Sequence, residues 1–460
     1  MRLERPACTA GRCLVLLAIG VLGAGCAGPA PARATAEADH PIDPEAARPG
    51  LSDAPAHGAS SPRAAAIADS RLTLQRALAR ALEESPELGS RAWALRAQDA
   101  RAVQGGLAPN PVLEAETENF AGSGAFSGFG ASETTLALSQ KLETAGKRGK
   151  RRRAAELGAE VAAWRVEETR LRVVEQVTSA FAGVVAAQQA VSVTTEQVEI
   201  AESSERATRR LVDAGAAPPV EATRDRVAVA TARIDRIRAV RRLEAARVAL
   251  AATWGSSTAD YSEVVGDVGP VGPPPPLDEL RPLLAHNPTL AAWDREVARR
   301  GALVELEDAG RIPDVTAAAG VRWLEESDDA ALVAGFSVPI PIFDRGQGDR
   351  AVSRADLRRA RWEHRAAQAA LGAELERTYQ ELAARHEEIV ELREEVLPAA
   401  REAFDGVRDG YRRGLFRTTD LLEAQRTLVG LRLREIDAVR AYHVARAALQ
   451  RLTAGARPRP

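Results

Sequence analysis

"TTLALSQKLETAGKRGKRR", residues 134–152, and "LVAGFSVPIPIFDRGQGDR", residues 332–350, have the same grammar. Each reads as an extended segment that passes a glycine, Gly146 or Gly346, and becomes a long helix. Working outward, the chain repeats itself on both sides. "LTLQRALARALEESPEL" (72–88) is echoed by "LDELRPLLAHNPTL" (277–290), with Pro86 matching Pro288. "GGLAPNPVLEAETEN" (105–119) is echoed by "AGRIPDVTAAAGVRW" (309–323). "RLVDAGAAPPVEATRDR" (210–226) is echoed by "DGYRRGLFRTTDLLEAQ" (409–425). Landmarks in fixed order at offsets of about 198 to 204 residues are the mark of an internal duplication.

Each unit reads helix, two strands, long helix, turn, helix. The strand pairs fall at about 112–121 with 132–141, and about 314–324 with 330–340, each near the length a tilted strand needs to cross a bilayer. Val112, Glu114, Glu116 and Glu118 alternate with Leu113, Ala115 and Thr117, and Leu332, Ala334, Phe336 and Val338 make one apolar face. The helix from Gly146 to Asp213 contains no proline. At the rise of an α-helix it spans on the order of 100 Å. Its counterpart holds Pro398, where a kink or break is expected. Leu157, Val161, Trp164, Leu171, Phe181 and Val185 form one stripe; Val166, Val173, Val177, Val184 and Val191 form another. Two stripes suit a helix with neighbours on both sides, as in a cylinder of helices, and a broad face in a plain bundle satisfies them too.

The ends carry different information. Arg2, Arg5 and Arg12 precede the apolar "LVLLAIGVL" (14–22), too short to span a bilayer as a helix, and "GAGC" ends at Cys26. Residues 1–25 therefore read as a signal peptide, with Cys26 as a lipidation site; an ordinary secretory signal with a chance cysteine is the other reading. Residues 26–70, rich in Ala and Pro, read as an irregular tether. The first repeat covers 71–254, a Pro-rich linker 255–276, the second repeat 277–454 and a tail 455–460. No stretch of the mature chain is expected to form a transmembrane helix.

Composition narrows the function classes. With 62 Lys and Arg against 64 Asp and Glu the charge is balanced, so no polyanion partner is implied. The basic run "KRGKRRR" (147–153) opens a helix beside a strand exit and is read as facing headgroups or neighbouring acids rather than nucleic acid. Of 3 cysteines, Cys8 and Cys13 would leave with the signal, so no internal disulfide or cysteine metal site is expected. No two of the six histidines fall at i, i+3 or i+4. No catalytic constellation and no phosphate-cradling loop is present, so the chain is not read as an enzyme, and no cofactor or resident metal is expected.

Four strands cannot close a barrel, and open edges in lipid cost several kcal/mol per unsatisfied backbone group. Small barrels need roughly eight strands, so several copies must contribute; a homotrimer supplies ~12. The ordered set of motifs, above all "LAPNPVLEAETEN", "ETAGKRG" and "GYRRGLFRTTDLLEAQ", resembles the TolC-like outer membrane factor family. Within it, the motifs look most like the branch serving heavy-metal exporters of the resistance-nodulation-division class. That resemblance implies a mainly α chain with a small membrane β part. It implies a trimeric outer-membrane β-barrel in outer-membrane lipid, continued by a periplasmic α-helical barrel. It also implies docking on a periplasmic adaptor (a membrane fusion protein) and through it on an inner-membrane pump. The two repeated turns become the periplasmic tips. Asp420, Glu423, Glu221 and Tyr411 are then gate residues, and Leu211, Gly215, Gly414, Leu415 and Phe416 adaptor contacts. Phe416 stands where better-known relatives carry a polar or basic residue, which puts their hydrogen-bonded latch in doubt. Thr418 or Thr419 is expected to cap the last helix. A passive duct for heavy-metal cations is the leading reading. A duct for drugs or type I polypeptide secretion is a rival, and a structural coiled-coil periplasmic lipoprotein another.

Overall fold

A computed structural model describes residues 71–455. The signal at 1–25, Cys26, the tether to residue 70 and nearly all of the tail 455–460 lie outside the described residues. In the first repeat, β1 (Arg71–Leu72) leads to α1 (Leu74–Glu84) and α2 (Pro86–Gly105). Strands β2 (Val112–Glu118) and β3 (Glu133–Leu142) follow, then α3 (Lys147–Asp213) and α4 (Pro219–Ala252). The linker contains β4 (Glu263–Val264), which pairs in parallel with β1, and the second repeat contains α5 (Leu277–Leu280), α6 (Pro288–Ala309), β5 (Val315–Leu324) and β6 (Asp329–Ser337). It closes with α7 (Gln347–Glu391), α8 (Leu397–Arg412) and α9 (Thr418–Thr453).

The two hairpins join into one antiparallel sheet of order β2-β3-β5-β6. Register places Leu113 opposite Leu138, Leu136 opposite Val321, and Val321 opposite Leu332. Residues directly across an antiparallel pair share a face. One face therefore carries Leu113, Leu136, Leu138, Val321, Trp323, Leu332 and Phe336, all exposed, with Leu332 at 86% and Phe336 at 83%. The other face carries Glu114, Glu116, Glu118 and Glu133. There Arg322 donates to Thr135 Oγ1 at 3.0 Å and to Glu133 Oε2 at 2.9 Å. An apolar outer face over a polar inner one is the reverse of a soluble sheet and the pattern of a membrane barrel. The outer edges of β2 and β6 have no partner among the described residues.

Glycine makes both strand-to-helix turns. Gly146 (φ 67°) and Gly346 (φ 65°) sit in the left-handed region at the N-caps of α3 and α7, which a side chain would strain. A clasp between repeats fixes the first turn. Asp314 accepts from Lys147 Nζ at 2.6 Å and from the Thr144 N–H at 3.1 Å, and Lys141 Nζ lies 3.1 Å from its other oxygen. Burial alone would raise the Asp314 carboxyl, but the hydrogen bonds from Lys147, Thr144 and Lys141 outweigh it and hold it at about 2.

Helix α3 is an unbroken 67 residues. It packs against α4 on one side, α9 on the other, and α2 and α6 near its start. Both apolar stripes are thus used. By length and composition alone, α3 is long and apolar enough to cross a membrane. That corrects the expectation that no mature stretch would qualify; in α3 the apolar residues serve helix seams. Each repeat has its own core. Val177, Phe181, Leu250 and Trp254 centre the first. Leu375, Leu382, Ile389 and Leu452 centre the second. The break expected at Pro398 takes the form of a π turn, Leu392–Val396, in which the Leu397 N–H reaches back to the Leu392 carbonyl. A proline has no N–H to continue the α ladder, and the wider turn absorbs the defect.

Candidate functional site

The helical hairpins α3–α4 and α8–α9 end in the same stop signal. In the first, the Ala216 N–H donates to the Leu211 carbonyl at 2.8 Å and the Gly215 N–H to that of Val212 at 2.9 Å. In the second, Leu415 donates to Gly410 at 2.9 Å and Gly414 to Tyr411 at 3.0 Å. This paired 6→1 and 5→2 closure requires a left-handed residue. Gly215 (φ 72°) and Gly414 (φ 77°) supply it.

The restart of α9 corrects one expectation. Its cap is Arg417, not Thr418 or Thr419. Asp420 Oδ2 accepts the Arg417 N–H at 2.9 Å. An arginine side chain has no acceptor to return the bond, so the carboxylate alone completes the cap. Asp420 therefore has a local structural task whatever else it does, and it sits half-buried while Glu423 is exposed. At the other tip, Glu221 is engaged by Arg224 Nη1 at 2.9 Å.

Tyr411 ties the two hairpins together. Its hydroxyl lies 3.1 Å from Thr208 Oγ1 on α3, and Thr208 is 1% exposed. A hydrogen-bonded contact thus exists at this level beside the apolar Phe416. Phe416 instead covers Gly410: a Cβ built on Gly410 would fall inside the Phe416 ring. The apolar tips are open to solvent, with Leu415 at 73%, Val220 at 52% and Leu211 and Phe416 each at 45%.

Three residues of this region escape a sequence reading. Thr208 is one and Gly410 another. The third, Asp225 on α4, is 1% exposed, and neither carboxylate oxygen has a hydrogen-bond partner among the described residues. Burial pushes its carboxyl up; the nearby Thr208 hydroxyl pulls it back, and the Glu221 and Glu205 charges push it further up. Its one signal in sequence is its placement four residues after Glu221, on the same helix face.

The chain was compared with known proteins. The family model described as "Outer membrane efflux protein" matches residues 77–256 and 280–455. The cobalt-zinc-cadmium resistance protein CzcC of Cupriavidus metallidurans is 31% identical over 383 residues, covering 83% of this chain and 90% of that protein. The nickel-cobalt-cadmium resistance protein NccC of Alcaligenes xylosoxydans xylosoxydans is 27% identical over 286 residues, covering 62% of this chain and 64% of that protein. The Campylobacter jejuni CmeC outer membrane channel matches in structure with a TM-score of 0.71 at 15% identity, covering 92% of this chain and 94% of that one.

Proposed function

This chain belongs to the outer membrane efflux protein family, and from that premise we propose that it is the passive exit duct of a tripartite pump exporting heavy-metal cations. The family places it in the outer membrane, with its helices in the periplasm. One observation carries the duct: a four-stranded sheet, apolar outside and polar inside, whose two edges are both unpaired among the described residues. Lipid offers those backbone groups nothing, so each edge needs the sheet of another copy. Three sheets of four strands make a barrel of about twelve, continued below by the helical hairpins. Similarity to proteins of cobalt, zinc, nickel and cadmium resistance supports the cargo. Energy for transport comes from the inner-membrane pump, not from turnover in this chain.

In this reading Leu211, Gly215, Gly414, Leu415 and Phe416 form the end that docks on a periplasmic adaptor. Asp420, Glu423, Glu221 and Tyr411 line the narrowing of the tube, where repeated carboxylates attract cations and repel anions. Acylation of Cys26 would anchor the N-terminus in the same membrane.

The test is direct. Detergent-extracted outer membranes should give a heat-modifiable trimer, and the purified trimer should conduct ions in planar bilayers. A stable monomer, soluble once freed of any acyl chain, would sink the duct. Deleting the gene should sensitise cells to cobalt, zinc or cadmium. Sensitivity to drugs alone would reassign the cargo.

A further inference from the structure

The seam between α3 and α4 changes character as it nears the tip. Higher up it is apolar: Val198 and Ala201 pack against Val229 and Ala232. In the last turns before Gly215 the apolar pairs give way to Ser204 and Thr208 on α3 and Asp225 on α4, all three buried. Among the described residues the Ser204 hydroxyl and both Asp225 oxygens have no hydrogen-bond partner, and Glu221 Oε2 is buried without one as well. The arginines beside them are committed elsewhere: Arg224 holds Glu221 at 2.9 Å and Arg209 holds Glu205 at 2.7 Å. From α8 the group facing this seam is Tyr411, through Thr208.

An ionised carboxylate in such a place is withdrawn from solvent, and two further carboxylates, Glu205 and Glu221, act on it. The burial belongs to a single chain, so assembly cannot relieve it. An aspartic acid fits where an aspartate does not.

We propose that Asp225 is a proton-binding site that holds the α3–α4 tip shut, and that loss of its proton opens the seam and admits water. The inference rests on the duct reading, since it assigns the tip a closed and an open form. Thr208 carries the change onward. The neutral acid can donate to Thr208 Oγ1, leaving the Thr208 hydrogen for Tyr411 Oη. The ionised form instead demands that hydrogen for itself, so the link to α8 must rearrange. Burial and the neighbouring carboxylates raise the Asp225 carboxyl above the ordinary aspartate value. A raised value means that the folded, closed tip binds the proton more tightly than the open one. Closure is therefore strongest at low pH and is lost as pH rises through the raised value.

The experiment is single-channel recording of the purified trimer from the ordinary aspartate range, about pH 4, up to about pH 8, with opening rising up to about tenfold per pH unit in the steep range. Asp225→Asn, an isostere of the neutral acid, should stay closed and lose the pH dependence. Asp225→Leu, which continues the apolar seam, should do the same. Infrared difference spectra over the same range should show a protonated carboxyl band in the parent that is missing from Asp225→Asn. Identical pH profiles in parent and Asp225→Asn, or no such band, would overturn the assignment while leaving a conducting duct intact. A protein that never conducts but shows the band would fail the duct reading instead.

Discussion

Thr208 Oγ1 and Tyr411 Oη stand 3.1 Å apart and join helices that belong to different repeats of the chain. Each hydroxyl can satisfy the other, and Thr208 is withdrawn from solvent. A neutral hydrogen bond of this kind contributes about 1 kcal/mol net. If the proposed gate lies at this tip, Tyr411→Phe should shift it toward open by about fivefold, read as open probability in planar bilayers. Thr208→Val should do likewise, and the double variant should add little to either. Additive effects would show that the two hydroxyls act separately.

Asp420 has two separable tasks, and substitutions can part them. Asp420→Ala removes the acceptor that caps Arg417 and should cost about 1 kcal/mol in helix stability. Asp420→Asn keeps an acceptor and removes only the charge. If a carboxylate ring narrows the channel, Asp420→Asn with Glu423→Gln should weaken block by multivalent cations with little loss of thermal stability. Unchanged block in an assembled trimer would leave Asp420 with the cap alone.

Gly410 is silent in sequence but crowded in space. Gly410→Ala would drive a methyl into the Phe416 ring and dislodge it. Gly406→Ala on the same helix meets nothing within 4 Å; it should be neutral or stabilising by up to about 1 kcal/mol. If the apolar tips dock the adaptor, Gly410→Ala should weaken adaptor binding in a pull-down or interferometry assay, and Gly406→Ala should not.

The clasp at Asp314 makes a pH prediction of opposite sign to that at Asp225. Its carboxyl is held at about 2 in the fold, below the usual aspartate range. Its stabilisation is therefore fully present at neutral pH and is lost as pH falls through that range toward about 2. Asp314→Asn takes the carboxylate from Lys147, whose side chain is only 13% exposed and keeps the Ile312 carbonyl at 2.6 Å as an acceptor, and should cost on the order of 2 kcal/mol. Thermal unfolding of the detergent-solubilised trimer, followed by circular dichroism, should show the loss at neutral pH. The gap between parent and variant should close in strong acid.

Much of the architecture is legible in the sequence because its signals are local. Period-two alternation marks Val112–Glu118, and the absence of proline marks α3. Glycines mark the turns at 146, 215, 346 and 414, where the backbone is left-handed. The candidate site at the helix tips is legible only where its signals too are local, as in the turn glycines Gly215 and Gly414. What escapes depends on partners distant in sequence. Thr208 meets Tyr411 across 203 residues, and no property of either announces the other. Asp225 reads as one more surface acid until α3 is laid over it. The cap at Arg417 escapes because propensity favours threonine there, whereas the carboxylate of Asp420 decides it. The parallel pairing of β1 with β4 is also invisible, since two-residue strands carry no period.

The π turn at Leu392–Val396 sets the phase of everything beyond it. One additional residue in a helix swings all later side chains by about 100° around the axis. Tyr411 faces Thr208 on α3 only in that rotated frame. Shortening Leu392–Val396 by one residue would give a more regular rod, yet would point the tyrosine at the wrong neighbour. The irregularity is thus a clocking device: it lets a proline-bearing stave arrive at its far end with the correct face turned inward.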